Sequence, residues 1–175
     1  KAVRYIKYNG VSWSALTLIG TVATGNIVAC SLTADGSRGV AIARFGYCYF
    51  FTWTGSSYSG LTQTLDTTSR GYAGLDMTPD GRIIVTVAGG VPYYATWNGT
   101  NYSSFVATNE TGNGVFGATI TADGSRIAYT NNSNAVGWAV WNGTNYGTAT
   151  IITVPTTARN VKFSPDGNII CYSLY

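Results

Sequence analysis

The chain has 175 residues, enough for one domain; 45% are apolar and only 10% charged, and 14% aromatic content excludes a disordered chain. A net charge of +3 without a basic cluster is a poor match to nucleic acid, and no apolar run reaches the length of a membrane helix, so no membrane insertion is expected. Histidine is absent and Glu110 is the sole glutamate, which removes His-based triads and most zinc sites. The reading is of a protein that is not an enzyme, with no catalytic residue, metal site or cofactor assigned.

In chain order, residues 2–8 and 11–19 read as two strands about the turn Tyr8-Asn9-Gly10. Residues 22–65 follow as a unit with two punctuation marks, Asp35-Gly36 and Trp53-Thr54-Gly55. Residues 70–110 repeat the pattern with Asp80-Gly81 and Trp97-Asn98-Gly99, and residues 113–154 with Asp123-Gly124 and Trp141-Asn142-Gly143. In this third unit the strands are 115–120, 126–130, 137–141 and 146–154, rich in β-branched and aromatic types. The last segments, 159–164 and 168–175, flank Asp166-Gly167. Asp-Gly and Asn-Gly tolerate the positive φ of tight hairpins, so both marks predict turns between antiparallel strands. An aromatic stands three residues before each second mark (Tyr5, Phe50, Tyr94, Trp138) and another five residues after it (Trp13, Tyr58, Tyr102, Tyr146).

Four strands in about 44 residues is the size of one β-propeller blade. The sequence therefore predicts an all-β, four-bladed β-propeller of four-stranded antiparallel blades in a single domain, residues 1–175. Blade 1 spans about 22–65, blade 2 about 70–110 and blade 3 about 113–154. Blade 4 is split between 158–175 and 1–20, and pairing of the N- and C-terminal strands closes the ring and removes open edges. Phe163-Ser164-Pro165-Asp166-Gly167 and Met77-Thr78-Pro79-Asp80-Gly81 resemble the turn of WD40-like repeats of the PD40 type. The segment 121–131 is similar to the YVTN repeat of microbial surface-layer propellers, and the Trp-Asn-Gly-Thr-Asn-Tyr hairpins resemble those of secreted propeller lectins. The resemblance implies the fold and leaves the ligand open.

On each innermost strand, period-two alternation separates an apolar face (Cys30 and Leu32, Leu75 and Met77, Ala118 and Ile120, Val161 and Phe163) from a small or polar one. The polar face turns to the axis, where Asp76 and Lys162 are expected opposite each other, as a polar ligand site or as a charge-compensated plug. Cys30, Cys48 and Cys171 have no metal spacing and read as small core hydrophobes. The aromatic triplets suit packing between blades or stacking on sugars, and the turn aspartates suit turn formation. Asn98, Asn101, Asn109, Asn131 and Asn142 head glycosylation sequons that also serve as hairpin chemistry.

The two kinds of marker turn fall on one rim, and the divergent loops on the other. That second rim carries the expected ligand contacts Arg70, Tyr72, Glu110, Asn131, Asn134 and Arg159: amides for hydroxyls, arginines for a carboxylate or sulfate, and Tyr72 for stacking. The functional expectation is a non-catalytic binding module, lectin-like, recognising a glycan or cell-surface ligand from a secreted, cell-surface or virion-surface protein. The alternative is a structural or protein-interaction module with a protein partner, such as a surface-layer or capsid-decorating domain within a larger chain or assembly.

Overall fold

The computed structural model describes residues 1–108, 115–131 and 133–175, and every regular element within them is a β-strand. β1 (Ala2–Tyr5) pairs with β2 (Thr17–Thr21). Three antiparallel meanders follow. The first holds β3 (Asn26–Leu32), β4 (Arg38–Gly46), β5 (Cys48–Thr52) and β6 (Thr62–Gln63). The second holds β7 (Arg70–Met77), β8 (Ile83–Ala88), β9 (Val91–Thr96) and β10 (Val106–Ala107), and the third β11 (Val115–Ile120), β12 (Arg126–Asn131), β13 (Ala135–Val140) and β14 (Thr150–Thr153). β15 (Ala158–Phe163) pairs with β16 (Ile170–Leu174). β4 also meets β7 through Arg44↔Gly71 and Gly46↔Arg70, joining the first two meanders into one curled sheet.

Both marker turns have the backbone their sequences require. Gly36, Gly81, Gly124 and Gly167 lie at φ of 69° to 74°, a region that residues with a Cβ rarely adopt. The tryptophan marks form bridges to the aromatics five residues on: Trp53↔Tyr58, Trp97↔Tyr102, Trp141↔Tyr146 and Tyr8↔Trp13. The hydroxyls of Tyr58, Tyr102 and Tyr146 each donate to a turn carbonyl, of Gly36, Gly81 and Gly124 respectively, at 2.7 Å. One contact thus ties the outer hairpin of a repeat to its inner turn.

The core lies between repeats. Val40, Ile42 and Phe50 pack with Leu75 and Met77 of the next repeat, and Val85, Val87 and Tyr94 with Ala118 and Ile120 of the one after. Ala128 and Val136 pack with Ala158 and Val161. Phe50 meets Trp97 and Tyr102 edge-on, and Tyr94 meets Trp141 and Tyr146 in the same way, so these rings serve packing. The inner strands β3, β7, β11 and β15 lie side by side in that order. Their closest approach is backbone to backbone: a methyl group on Gly74 would stand 2.7 Å from the Ala118 nitrogen, and one on Gly117 2.8 Å from the Arg159 carbonyl oxygen.

The expected pairing of residues 168–175 with 2–8 is not present among the described residues. β1 pairs only with β2, and β16 only with β15. Each half is instead satisfied by its neighbour: Val3 and Ile19 pack on Ala41 and Phe51, and Val161 packs against Ala128. The sheets are therefore open at both ends. Leu32, on the face that matches Leu75 and Met77, is left 51% exposed, and Cys30 and Cys171 are also exposed rather than in a core.

Candidate functional site

The divergent loops surround a cavity of about 520 Å³, within the range of small-molecule sites. It is lined from all four inner strands: Val28 of β3, Gly71 to Ala73 of β7, Phe116 of β11, and Arg159 and Asn160 of β15. Arg44 and the turn Gly89-Gly90, at the ends of β4 and β8, complete it. Since strands β7, β11 and β15 start and β4 and β8 end here, the topology alone gathers these residues at one rim.

Two arginines dominate its chemistry. The Arg159 guanidinium lies between the rings of Phe116 (3.8 Å to the centroid) and Tyr175 (4.7 Å). Its Nε is buried without a hydrogen-bond partner among the described residues. Arg44 sits over the ring of Phe45 at 5.2 Å. Neither arginine has a carboxylate partner among the described residues, where the ion pairs are Arg70–Asp66, Arg82–Asp80 and Lys162–Asp76. Phe45 is 68% exposed and held at φ 55°, a conformation unusual for a bulky residue and of the kind kept at binding sites.

The expected contacts are divided by the structure. Arg159 and Tyr72 line the cavity, but the Tyr72 ring is wholly buried against Phe105 and offers no stacking face. Arg70 is engaged elsewhere, paired with Asp66 at 3.2 Å and stacked over Tyr93 at 4.4 Å. Asn131 is buried and accepts from the Ser133 amide, and the Asn134 amide oxygen accepts from the Thr157 hydroxyl. Glu110 lies outside the described residues. Arg44 and Phe116 also line the cavity, and Phe45 stands beside it, under Arg44 and next to Gly71; none of the three is among the expected contacts. Arg44 and Phe45 stand at the end of β4, on the rim where the divergent loops are expected.

Lys162 Nζ lies 2.9 Å from Asp76 Oδ1, linking β7 to β15 across the intervening β11. The other carboxylate oxygen, Oδ2, accepts from the Thr119 hydroxyl at 2.6 Å and from the Ile120 amide at 3.3 Å. With its acceptors satisfied, Asp76 serves as a bridge between strands, and the exposed lysine end limits what the ion pair adds to stability.

On the opposite rim the turn carboxylates are engaged by their own turns. Asp123 accepts from the Thr121 hydroxyl and from the Ser125 amide and hydroxyl, which together hold its carboxyl at about 2. The Ser37 amide, with the Thr33 and Ser37 hydroxyls, holds Asp35 at about 2 as well. Each turn aspartate is used by its own turn.

The arrangement defines an all-β repeat protein with a cationic, aromatic-edged cavity at one rim. No family model matches the chain, and no curated protein matches it. Among solved structures it is similar to Kuenenia stuttgartiensis hydrazine synthase, with a TM-score of 0.68 at 14% identity. That match covers 87% of this chain and 43% of the other, so the chain spans less than half the neighbour's length, and at this identity the likeness concerns fold alone.

Proposed function

We propose that the four repeats close into a four-bladed propeller and that the chain is a non-catalytic, lectin-like binding module of a secreted, cell-surface or virion-surface protein. Its ligand is a glycan bearing a carboxylate or sulfate. The observation that carries the functional reading is the cavity with Arg44 and Arg159, neither paired with a carboxylate, beside the exposed Phe45 ring. A guanidinium donates in pairs to a planar oxyanion, and an exposed ring covers the apolar face of a sugar. The two neighbouring backbone amides of Gly89 and Gly90 add room for close approach. A glycan array tests this: acidic glycans are expected to bind, and Arg159→Gln and Phe45→Ala each to weaken binding about tenfold, in line with the loss of a charged hydrogen bond or a stacked ring. No binding to any glycan would sink the reading. A protein-interaction module is the second reading, favoured by the half-exposed Ile151 and Ile152 on the outer strand β14.

Two observations support closure. The four inner strands lie side by side and together line one cavity, as the centre of a ring requires. Moreover, the residue three past each turn aspartate covers the turn glycine of the following repeat. A methyl group on Gly81 would lie 3.4 Å from Arg38 Nη1, one on Gly124 2.7 Å from Ile83 Cδ1, and one on Gly167 2.9 Å from Arg126 Nη2. The fourth such pair is Ile169 with Gly36. Ile169 is 65% exposed, and among the described residues a methyl group on Gly36 would meet only the Tyr58 hydroxyl, at 3.5 Å. Closure brings Ile169 onto Gly36 and β16 beside β1. Removing residues 168–175 is expected to abolish folding as a monomer; a monomeric truncated chain with an unchanged melting temperature would refute closure.

A further inference from the structure

Cys30 and Cys171 occupy matched positions in the repeat, five residues before the turn aspartate Asp35 and five residues after Asp166. The structure shows what those two positions do at the three junctions it forms. The residue five past one aspartate and the residue five before the next share a buried cluster: Val40 with Leu75, Val85 with Ala118, and Ala128 with Val161. At every one of these junctions both members are apolar, buried and drawn from neighbouring repeats. The fourth junction, between the last repeat and the first, has Cys171 and Cys30 as its pair. Both are exposed because that junction is open. The third cysteine, Cys48, is wholly buried in the first cluster, and burial pushes its thiol far up, away from reaction at neutral pH.

We infer that Cys30 and Cys171 form a disulfide that staples the closing junction of the ring. The inference rests on the closure proposed above and adds to it a redox-dependent covalent lock. Neither cysteine belongs to the cavity, so the lock acts on the ring and leaves the binding chemistry alone. In the presence of oxidised glutathione, the thiolate of one cysteine attacks the glutathione disulfide and releases one reduced glutathione. The second thiolate then attacks the mixed disulfide at the protein sulfur. One Sγ–Sγ bond forms, two S–H bonds are lost, and the two electrons and two protons leave with two molecules of reduced glutathione. The bridge spans most of the chain, and long loops gain most from such a constraint.

The test is to incubate the purified chain with oxidised glutathione, denature it, and count thiols. One free thiol is expected, assigned to Cys48 by peptide mapping, with no glutathione adduct in the intact mass and migration as a monomer on a non-reducing gel; glutathione retained on Cys30 and Cys171 would overturn the inference. Reduction is expected to lower the melting temperature by about 10 °C, from the loop-closure effect and the stability-to-temperature scaling for a chain of this size. Cys30→Ser and Cys171→Ser should each remove that reduction-sensitive shift and leave the remaining exposed cysteine as a glutathione adduct, seen in the intact mass, with no intramolecular bridge. Three free thiols after oxidation, a bridge that includes Cys48, or a disulfide-linked dimer would each overturn the inference. The truncation of residues 168–175 separates the two proposals. If it abolishes monomeric folding while the full chain keeps three thiols, closure stands and the lock is wrong. If it changes nothing, both fall.

Discussion

The two rims of this molecule are built from the same strands and differ in where their polar groups end. On the turn rim, the carboxylates of Asp35, Asp80, Asp123 and Asp166 accept hydrogen bonds from their own turns, and tyrosine hydroxyls from the outer hairpins close on the turn carbonyls. On the loop rim, the Arg159 Nε is buried without a partner among the described residues, and Phe45 is exposed in a left-handed conformation. Those carboxylates and carbonyls contribute stability and have little left to offer a ligand. A rim with unspent donors contributes little stability and can bind. The repeats agree where the first kind of work is done and diverge where the second is.

Four experiments press on that division. Tyr102→Ala should cost most, roughly 3–5 kcal/mol by chemical denaturation, because it empties a buried ring site between repeats and removes the bond to Gly81. Tyr146→Phe keeps the ring and loses only the hydroxyl bond to Gly124, so a loss of about 1 kcal/mol is expected. Acid probes the turn carboxylates. Asp35 and Asp123 have folded values near 2 against an ordinary 3.8, so their contribution is complete above about pH 4 and is lost as the pH falls toward 2. Thermal melts should therefore decline across that window, and Asp123→Asn should flatten the decline. Arg44→Ala should change stability least, by no more than about 0.5 kcal/mol, while weakening binding of an acidic glycan. An Arg44→Ala loss as large as that of Tyr102→Ala would erase the distinction between the rims.

Much of the molecule is legible in its sequence because turns are local. Asp-Gly and Trp-Asn-Gly specify positive φ at fixed places, and alternation between them specifies strands. The all-β character thus follows without reference to distant contacts. The burial of Leu75, Met77, Ala118, Ile120 and Val161 follows from the same alternation. The equivalent Cys30 and Leu32 carry the same pattern and yet are exposed, since burial needs a facing sheet and no pattern within a strand supplies one.

The site was less legible, for a related reason. Arg70 and Arg159 have similar loop contexts, but Arg70 meets the buried carboxylate of Asp66 four residues away, whereas Arg159 falls between Phe116 and Tyr175. Tyr72 looked like a stacking face until the register of β7 turned it into the core, and Arg44 entered the cavity because β4 reaches across to β7. The turns, the strands and the fourfold recurrence are readable along the chain because each depends on neighbours a few residues apart. Which arginine is spent and which faces the cavity emerges from the folded chain, because ion pairs and ring contacts are set by distances between strands that the chain order does not contain.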